Sequence, residues 1–600
     1  MGRAGHRRWM VLTLASVASV LSFGACHREQ TSTQQSAAGD VTTSARAYAA
    51  AQQAHVRAMA DSTQWASYGR DYSNQRWSPL SQINRSNVAQ LTLAWENHSG
   101  VPHASESNPI VVDGVMYIST ALNHVLALDA KTGAKKWEYV HQYRTTVDCC
   151  STNNKGVTVY DGKVYMGTVD ARLVALDAKN GHVVWEVSAG DPNIGYHMTG
   201  APTAVDGMII TGVSGGEQGD RCYVDAYDAR TGRRLWRFYT IPSPAEGGWW
   251  GTWRTHDEWG MSFNRDIAQE KRDSAKYADS WRHGGGPVWH HPAYDPATGT
   301  LFINVGNPAP DLNAYGRPGD NLYTCSIVAL DAKTGKLKWY YQEVPHDRWD
   351  YDATTPPVLV DVRDSTGKTV HAVAEAGKDG FVYVLDRATG KPIRKSEPFV
   401  PFENYMQNPT PEGVIVNPGT LGGSDWSPTA YSPRTGYLYI DGNYLPMKER
   451  VTAEEYRPPA QYWGGNVVAV PADKQYGMYV AVDLNTGKIA WRDSLAKPTI
   501  SGSVATAGGV VFTGLSDKKV AAYDAQTGKQ LWTFKTDGGV NAPPITYQID
   551  GTQYVAVAAT GLETMNTPRS DELLVFSLPA SRVATRAAAR DRARTRAGGS

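Results

Sequence analysis

A phrase that recurs along the chain constrains its fold more than any other feature. It reads ALDAKTGAKKWEY from Ala127, ALDAKNGHVVWEV from Ala175, AYDARTGRRLWRF from Ala226 and ALDAKTGKLKWYY from Ala329. AVDLNTGKIAW follows from Ala481 and AYDAQTGKQLWTF from Ala522, with weaker copies at Tyr294, Leu385 and Tyr431. Each copy is an alternating strand, an Asp, a Thr-Gly or Asn-Gly turn, and a second strand closed by Trp. Gly and Asn tolerate the backbone angles of a tight hairpin, and period-two alternation marks half-buried strands. Further strands, such as GVMYIST from Gly114 and GKVYMGT from Gly162, lie between copies. Several strands per unit, each unit with a docking Trp, predict the blades of an all-β propeller. A solenoid would need capping repeats, and the sequence has none. The stretch 62–580 has room for about eight blades.

The repeats run nearly end to end, so the 600 residues read as one large propeller domain. Lys+Arg and Asp+Glu are both 59, and bulk charge therefore implies no nucleic-acid partner. The Arg- and Ala-rich end, 581–600, reads as a disordered basic tail. At the other end Arg3, Arg7 and Arg8 precede a short apolar run over 11–25, the pattern of a signal peptide ending near 26. Ser22-Phe23-Gly24-Ala25-Cys26 resembles a bacterial lipoprotein cleavage site, which would put a lipid anchor on Cys26. Phe23 departs from the usual aliphatic residue and keeps ordinary signal cleavage open. Both readings place the mature chain outside the cytoplasm, in the periplasm. The Ala-, Gln-, Ser- and Thr-rich segment 27–61 reads as a disordered tether.

Beyond Cys26 the chain carries Cys149, Cys150, Cys222 and Cys325, and an exported compartment permits disulfides. No Cys-x-x-Cys-His occurs, so electrons would leave through a separate partner rather than a haem on this chain. The adjacent pair Cys149-Cys150 can bridge only by straining the peptide between them. Two small buried residues, or two ligands of a soft metal, are the other readings.

The opening QWASYGRDYSNQRWSPLSQIN, the Trp repeats, the Cys-Cys pair and the run PGDNLYTCSIVALDAKTGKLKWYYQEVPHDRWDYDA together resemble the quinoprotein alcohol dehydrogenases. These bind pyrroloquinoline quinone (PQQ) in an eight-bladed propeller, and the likeness spans roughly 64–561. It implies a role for each matching position. Glu106 corresponds to a carboxylate that contacts the quinone, and Cys149-Cys150 to a vicinal disulfide over one face of its ring. Lys155 stands where most relatives have Arg. Thr199 corresponds to a hydroxyl donor, and Ser214, Gly215 and Gly216 to a loop whose backbone approaches the cofactor carboxylates. Trp289 corresponds to the indole stacked beneath the ring, and Lys378 to the cation near the quinone oxygens. Glu217 and Asn307 correspond to metal ligands, and Asp350 to the catalytic base, itself beside the metal. Asp352 resembles the extra carboxylate of the lanthanide-dependent branch, although it could equally cap its loop. Oxygen ligands suit Ca²⁺ or a lanthanide ion, and the implied substrate is a small alcohol or sugar. The implied electron acceptor is a cytochrome c or a quinone.

The chain departs from that pattern at Lys155, at Pro287 for a common Thr, at Asp425 for a frequent Asn, and at Ile500 for a Trp. These changes point to an altered substrate range. The long loop 244–286, with Trp249, Trp250, Trp253, Trp259 and Trp281, is expected to cap the cofactor funnel, or else to wrap the surface over a small satellite core. The competing functional reading is a cofactor-free propeller lipoprotein acting as an outer-membrane assembly or binding scaffold. Such a scaffold has no reason to keep Cys149-Cys150, Glu217, Asn307 and Asp350 together.

Overall fold

In the computed structural model, which describes residues 32–143, 153–562 and 565–579, the repeated hairpins build eight antiparallel sheets. Blade 1 runs from Ile110–Val112 to Lys135–Tyr139, and blade 2 from Thr158–Tyr160 to Val183–Ser188. Blades 3, 4 and 5 begin with Thr203–Val205, Ala293–Asp295 and Val358–Arg363. Blades 6, 7 and 8 begin with Ala430–Ser432, Ser503–Thr506 and Ile545–Ile549. First strands touch between blades 1 and 2, 2 and 3, 4 and 5, and 6 and 7, which sets these strands on the inner side of the ring. The expected signal segment 1–26, the pair Cys149-Cys150 and the expected tail 581–600 lie outside the described residues.

The repeated phrase spans the third and fourth strands of a blade. In blade 1 the Asp129 carboxylate accepts from the N–H groups of Lys131 and Thr132 and from the Thr132 hydroxyl, and Gly133 takes φ +74°. The closing Trp reaches the next blade. Trp137 Nε1 donates to the Ala178 carbonyl at 3.0 Å, and Trp185, Trp236 and Trp491 repeat the bond to Ala229, Ala332 and Ala525. A Cβ on Gly181 would stand 2.6 Å from the Trp137 ring, so the turn glycine is also the floor on which the indole lies. Blade 5 ends in Pro392–Lys395 and has no such Trp. Arg394 replaces it, donating to the Leu484 carbonyl and covering Gly487. The weaker copies at Tyr294 and Tyr431 differ in place, because they form turns between first and second strands.

The ring closes by strand exchange. Thr92–His98, from the N-terminal side, pairs with Glu572–Ser577 to complete blade 8, and a Cβ on Gly133 of blade 1 would lie 2.5 Å from the Trp95 ring. Closure removes the open edges that a linear array would expose. The preceding segment crosses the axis: Trp65 pairs with Val111, Tyr294 N–H donates to Tyr72 O, Leu359 N–H to Ser73 O, Tyr431 N–H to Gln75 O, and Trp77 pairs with Ala505. Arg76, fully buried, donates to the carbonyls of Ser503 and Pro544 and to Asn108 Oδ1.

The expected tether differs in the structure. Helix α1 (Ser32–Ala60) occupies most of it, as its Ala- and Gln-rich sequence allows. Within the propeller unit, which starts at Ala51, the four-residue spacing of Ala51, His55 and Met59 puts one buried stripe against Tyr72 and Tyr160.

A three-stranded accessory sheet, Val414–Val416, Met447–Val451 and Gly465–Ala469, is built largely from an insertion between the second and third strands of blade 6.

Candidate active site

Segments that precede a first strand or follow a second strand emerge at the same end of an antiparallel blade, opposite the Asp-Thr-Gly turns. Glu106, Lys155, Thr199, Trp289, Asp350, Asp352 and Asp425 precede first strands. Ser214 to Glu217, Asn307 and Lys378 follow second strands. Topology thus gathers them, and Glu106, Lys155, Thr199, Ser214, Glu217, Trp289, Asp350, Asp352, Lys378 and Asp425 line one cavity of about 460 Å³.

One side of the cavity is cationic and aromatic. Lys155 Nζ lies 2.6 Å from Glu106 Oε2, and it stands 4.9 Å and 5.3 Å above the rings of Trp289 and Trp426. Asn153 Nδ2 donates to Glu106 Oε1 at 2.8 Å, and the hydroxyls of Thr199 and Ser214 are 3.0 Å apart. Trp289 meets Trp426 edge-on at 6.5 Å. Gly215 (φ +119°) and Gly216 are required by contact. A Cβ on Gly215 would stand 2.6 Å from the Gly195 carbonyl oxygen, and one on Gly216 2.7 Å from Pro287 and 2.8 Å from Asn307 Oδ1. Pro287 therefore fills the space over the glycine where a Thr was expected. Ile500 is fully buried and does not line the cavity.

The other side is acidic. Lys378 Nζ donates to Asp350 Oδ2 at 3.0 Å and Asp352 Oδ2 at 3.1 Å, with Asp425 Oδ1 at 3.8 Å. Burial works to discharge Lys378, but the three carboxylates outweigh it and hold the ammonium charged well above the usual lysine range. Burial pushes Asp350 well above the ordinary carboxylate range, with Lys378 opposing, and it raises Asp352, Glu217 and Asp311 as well. Asp350 also has φ +61°, a conformation that a non-glycine residue keeps only where its surroundings enforce it. The second oxygens of Asp350 and Asp352 and the amide oxygen of Asn307 are buried without hydrogen-bond partners, while Asn307 Nδ2 donates to Asp311 at 2.7 Å. Among the described residues no three His, Cys, Asp or Glu side chains converge as a finished metal cluster. Even so, mutually repelling carboxylates and an orphaned amide oxygen are the donor chemistry that a hard cation satisfies.

The sequence reading missed several neighbours. Trp426 directly follows Asp425, and Asp311 lies one short step beyond Asn307, so both were within reach of the family's local phrases. Asn153 carried no signal. The expected cap is also displaced: no described residue of 244–286 lines the cavity. That loop instead wraps a small satellite core of Ile241, Trp249 and Leu322, where the Asp320 carboxylate accepts the N–H groups of Thr252, Trp253 and Arg254. The cover comes from Leu421 and from Met447, Gln461, Trp463 and Val467 in and around the accessory sheet.

A closed propeller whose axial cavity pairs flat indoles and cations with orphaned oxygen donors is the framework of a quinone-cofactor dehydrogenase. The chain belongs to the PQQ-dependent dehydrogenase family: the model for the glucose/ethanol/alcohol dehydrogenase β-propeller domain matches residues 65–401 and 394–555. It is 38% identical over 539 residues to the quinoprotein alcohol dehydrogenase PedE of Pseudomonas putida, covering 82% of this chain and 83% of that protein. The structure of the quinohemoprotein alcohol dehydrogenase of Comamonas testosteroni is similar with a TM-score of 0.76 at 33% identity, covering 89% of this chain and 84% of that one. A europium-containing methanol dehydrogenase gives a TM-score of 0.78 at 32% identity, covering 88% of this chain and all of the other.

Proposed function

We propose that this protein is an exported dehydrogenase that uses PQQ and an oxygen-liganded cation to oxidise an alcohol, passing the electrons to a separate acceptor. The observation that carries the reading is the coincidence, in one cavity, of Trp289 and Lys155 with the partnerless oxygens of Asp350 and Asp352. Glu217, Asn307, Asp350 and Asp352 would hold the cation. Lys155, Thr199, Ser214, Trp289 and Lys378 would hold the quinone, with the Cys149-Cys150 pair opposite Trp289 as the family likeness implies. When bound, the quinone and its cation supply a two-electron acceptor polarised by a Lewis acid.

The chain's own part is positioning and proton transfer. Lys378 fixes Asp350 through Oδ2 and opposes the pull of burial towards the protonated form. Asp350 Oδ1 is then the atom that takes the proton of the substrate hydroxyl. Asp352 adds a further anionic oxygen, which favours a trivalent lanthanide over Ca²⁺. The test is reconstitution: purified chain with PQQ and either La³⁺ or Ca²⁺, followed by quinone absorbance and by turnover of alcohols with an artificial electron acceptor. We expect quinone binding only when a cation is present. Unchanged quinone spectra with every cation would return the chain to the scaffold reading.

A further inference from the structure

We infer that the protein carries a second ligand site, separate from the axial cavity, that takes a zwitterionic amino acid with an apolar side chain. The site is a cavity of about 400 Å³, a size that suits a small molecule, and it shares no lining residue with the axial one. Segments outside the repeated hairpins build it. They are helix α2 (Ile267–Asp273) of the Trp-rich loop, the stretch 312–315 beyond the second strand of blade 4, and the stretch 346–348 ahead of blade 5. The turn at Asn408 and the end of the accessory strand Met447–Val451 complete it.

Arg348 supplies the cation of this cavity and has no use for it within the fold. It is half-buried, its Nε is buried without a hydrogen-bond partner, and among the described residues its guanidinium enters no ion pair. Glu270 does not serve it, because Arg265 holds the two Glu270 oxygens at 3.0 Å and 2.7 Å and the Gly319 N–H adds a third bond. An arginine stays charged, so a planar fork of donors is left for a ligand, and a carboxylate matches that fork with two parallel bonds. The other polar groups require the opposite. Asp266 and Asp273 line the cavity, and their side chains accept from Gln269 of the same helix rather than from a cation. Asn408 Oδ1 is buried with no donor. His346 Nδ1 donates to the Gly319 carbonyl at 2.8 Å, and burial, with Arg348 and Arg265 beside it, pushes the ring well below the usual histidine range. Its Nε2 is therefore an acceptor. Asn264 is spent on the Met406 carbonyl. Phosphate would meet Asp266 and Asp273 as like charges, and a bare carboxylate would leave the acceptors unmet. An ammonium offers three donors and no acceptor, so a carboxylate and an ammonium on one molecule satisfy both halves. Leu312, Ala314, Tyr315, Pro409 and Val451 form the rest of the wall and give its side chain apolar surface to cover.

Isothermal titration calorimetry of the full chain with L-leucine, L-phenylalanine, 4-methylpentanoate, isopentylamine and inorganic phosphate tests the site. We expect a Kd below about 1 mM for at least one amino acid, with the two single-ended analogues of leucine and phosphate each at least about ten-fold weaker. Arg348→Gln should weaken amino-acid binding at least about 30-fold, with a melting temperature near that of the parent. Asn408→Leu removes an acceptor but keeps Arg348, and it should weaken binding about ten-fold; it decides the matter if Arg348→Gln does not fold. No amino-acid binding, an analogue or phosphate that binds as well as leucine, or affinity indifferent to the variants overturns the inference. The quinone reading stands or falls separately, on quinone absorbance.

Discussion

Asp350 is held between opposing demands. Burial and the acids around it favour the protonated form, Lys378 favours the carboxylate, and the backbone adopts φ +61° to present it. A side chain so placed is costly to keep for structural reasons alone. Asp350→Ala should lower kcat by about 10²–10⁴-fold, the usual worth of a general base, while the melting temperature and far-ultraviolet spectrum stay near those of the parent. A variant with parental kcat and bound quinone removes Asp350 from this role. Asp352 tests the cation. Its partnerless oxygen adds negative charge beside Asp350 and Asn307, so Asp352→Ala should weaken La³⁺ binding more than Ca²⁺ binding, as read by the cation dependence of quinone absorbance. Equal loss for both ions would reduce Asp352 to a neighbour of Lys378. These residues were legible because each sits in a local phrase shared with the family. The acidity of Asp425, which burial pushes up to about 7, was visible only as a departure from the family pattern, because burial is a property of the folded surroundings.

The hairpin is where sequence and structure agree most directly, since Asp, Thr and Gly act within a few residues of one another. What the phrase does not reveal is that its Trp and its Gly serve different blades. The indole of one blade rests on the turn of the next, which is why the two letters travel together. The same logic explains blade 5, where Arg394 takes the place of Trp and no reading of the repeat would have named it. Two glycines of blade 2 separate the contributions. At Gly162 (φ +70°) nothing lies within 4 Å of the point where a methyl would stand, whereas at Gly181 (φ +76°) the methyl would fall 2.6 Å from the Trp137 ring. Gly162→Ala should cost about 1–2 kcal/mol, the strain of a left-handed alanine. Gly181→Ala should cost clearly more, because Trp137 must also leave its seat and its bond to Ala178. Denaturation midpoints of the two variants decide it, and equal losses would mean that the Trp dock contributes little. The accessory sheet carries no copy of the repeat, so the cover of the cavity was assigned to the Trp-rich loop instead.

At the scale of the molecule, closure and axial packing join residues hundreds of positions apart, and such pairings leave no local trace. The strand Thr92–His98 reads like any other, yet it completes the last blade, and the phrase around Arg76 reads as a family mark rather than as a plug touching several blades. Closing the ring also buries acids between blades. Glu375 in blade 5 accepts from the N–H groups of Thr354 and Thr355, and burial, reinforced by Asp379, raises it to about 8, with Glu343 beside it raised as well. A carboxyl whose folded value exceeds its unfolded value of about 4.3 binds its proton more tightly in the folded state. Stability is therefore greatest below the unfolded value and falls as pH rises from about 4.3 towards 8. One such group contributes a slope of up to about 1.4 kcal/mol per pH unit across that window. Glu375→Gln keeps the hydrogen-bonding shape and removes the titration. The parent should lose stability between about pH 5.5 and 8 in chemical denaturation, and the variant should lose less over the same range. A parent that gains stability across this window, or a variant whose loss is as steep, would place the proton elsewhere than on the Glu343–Glu375 pair.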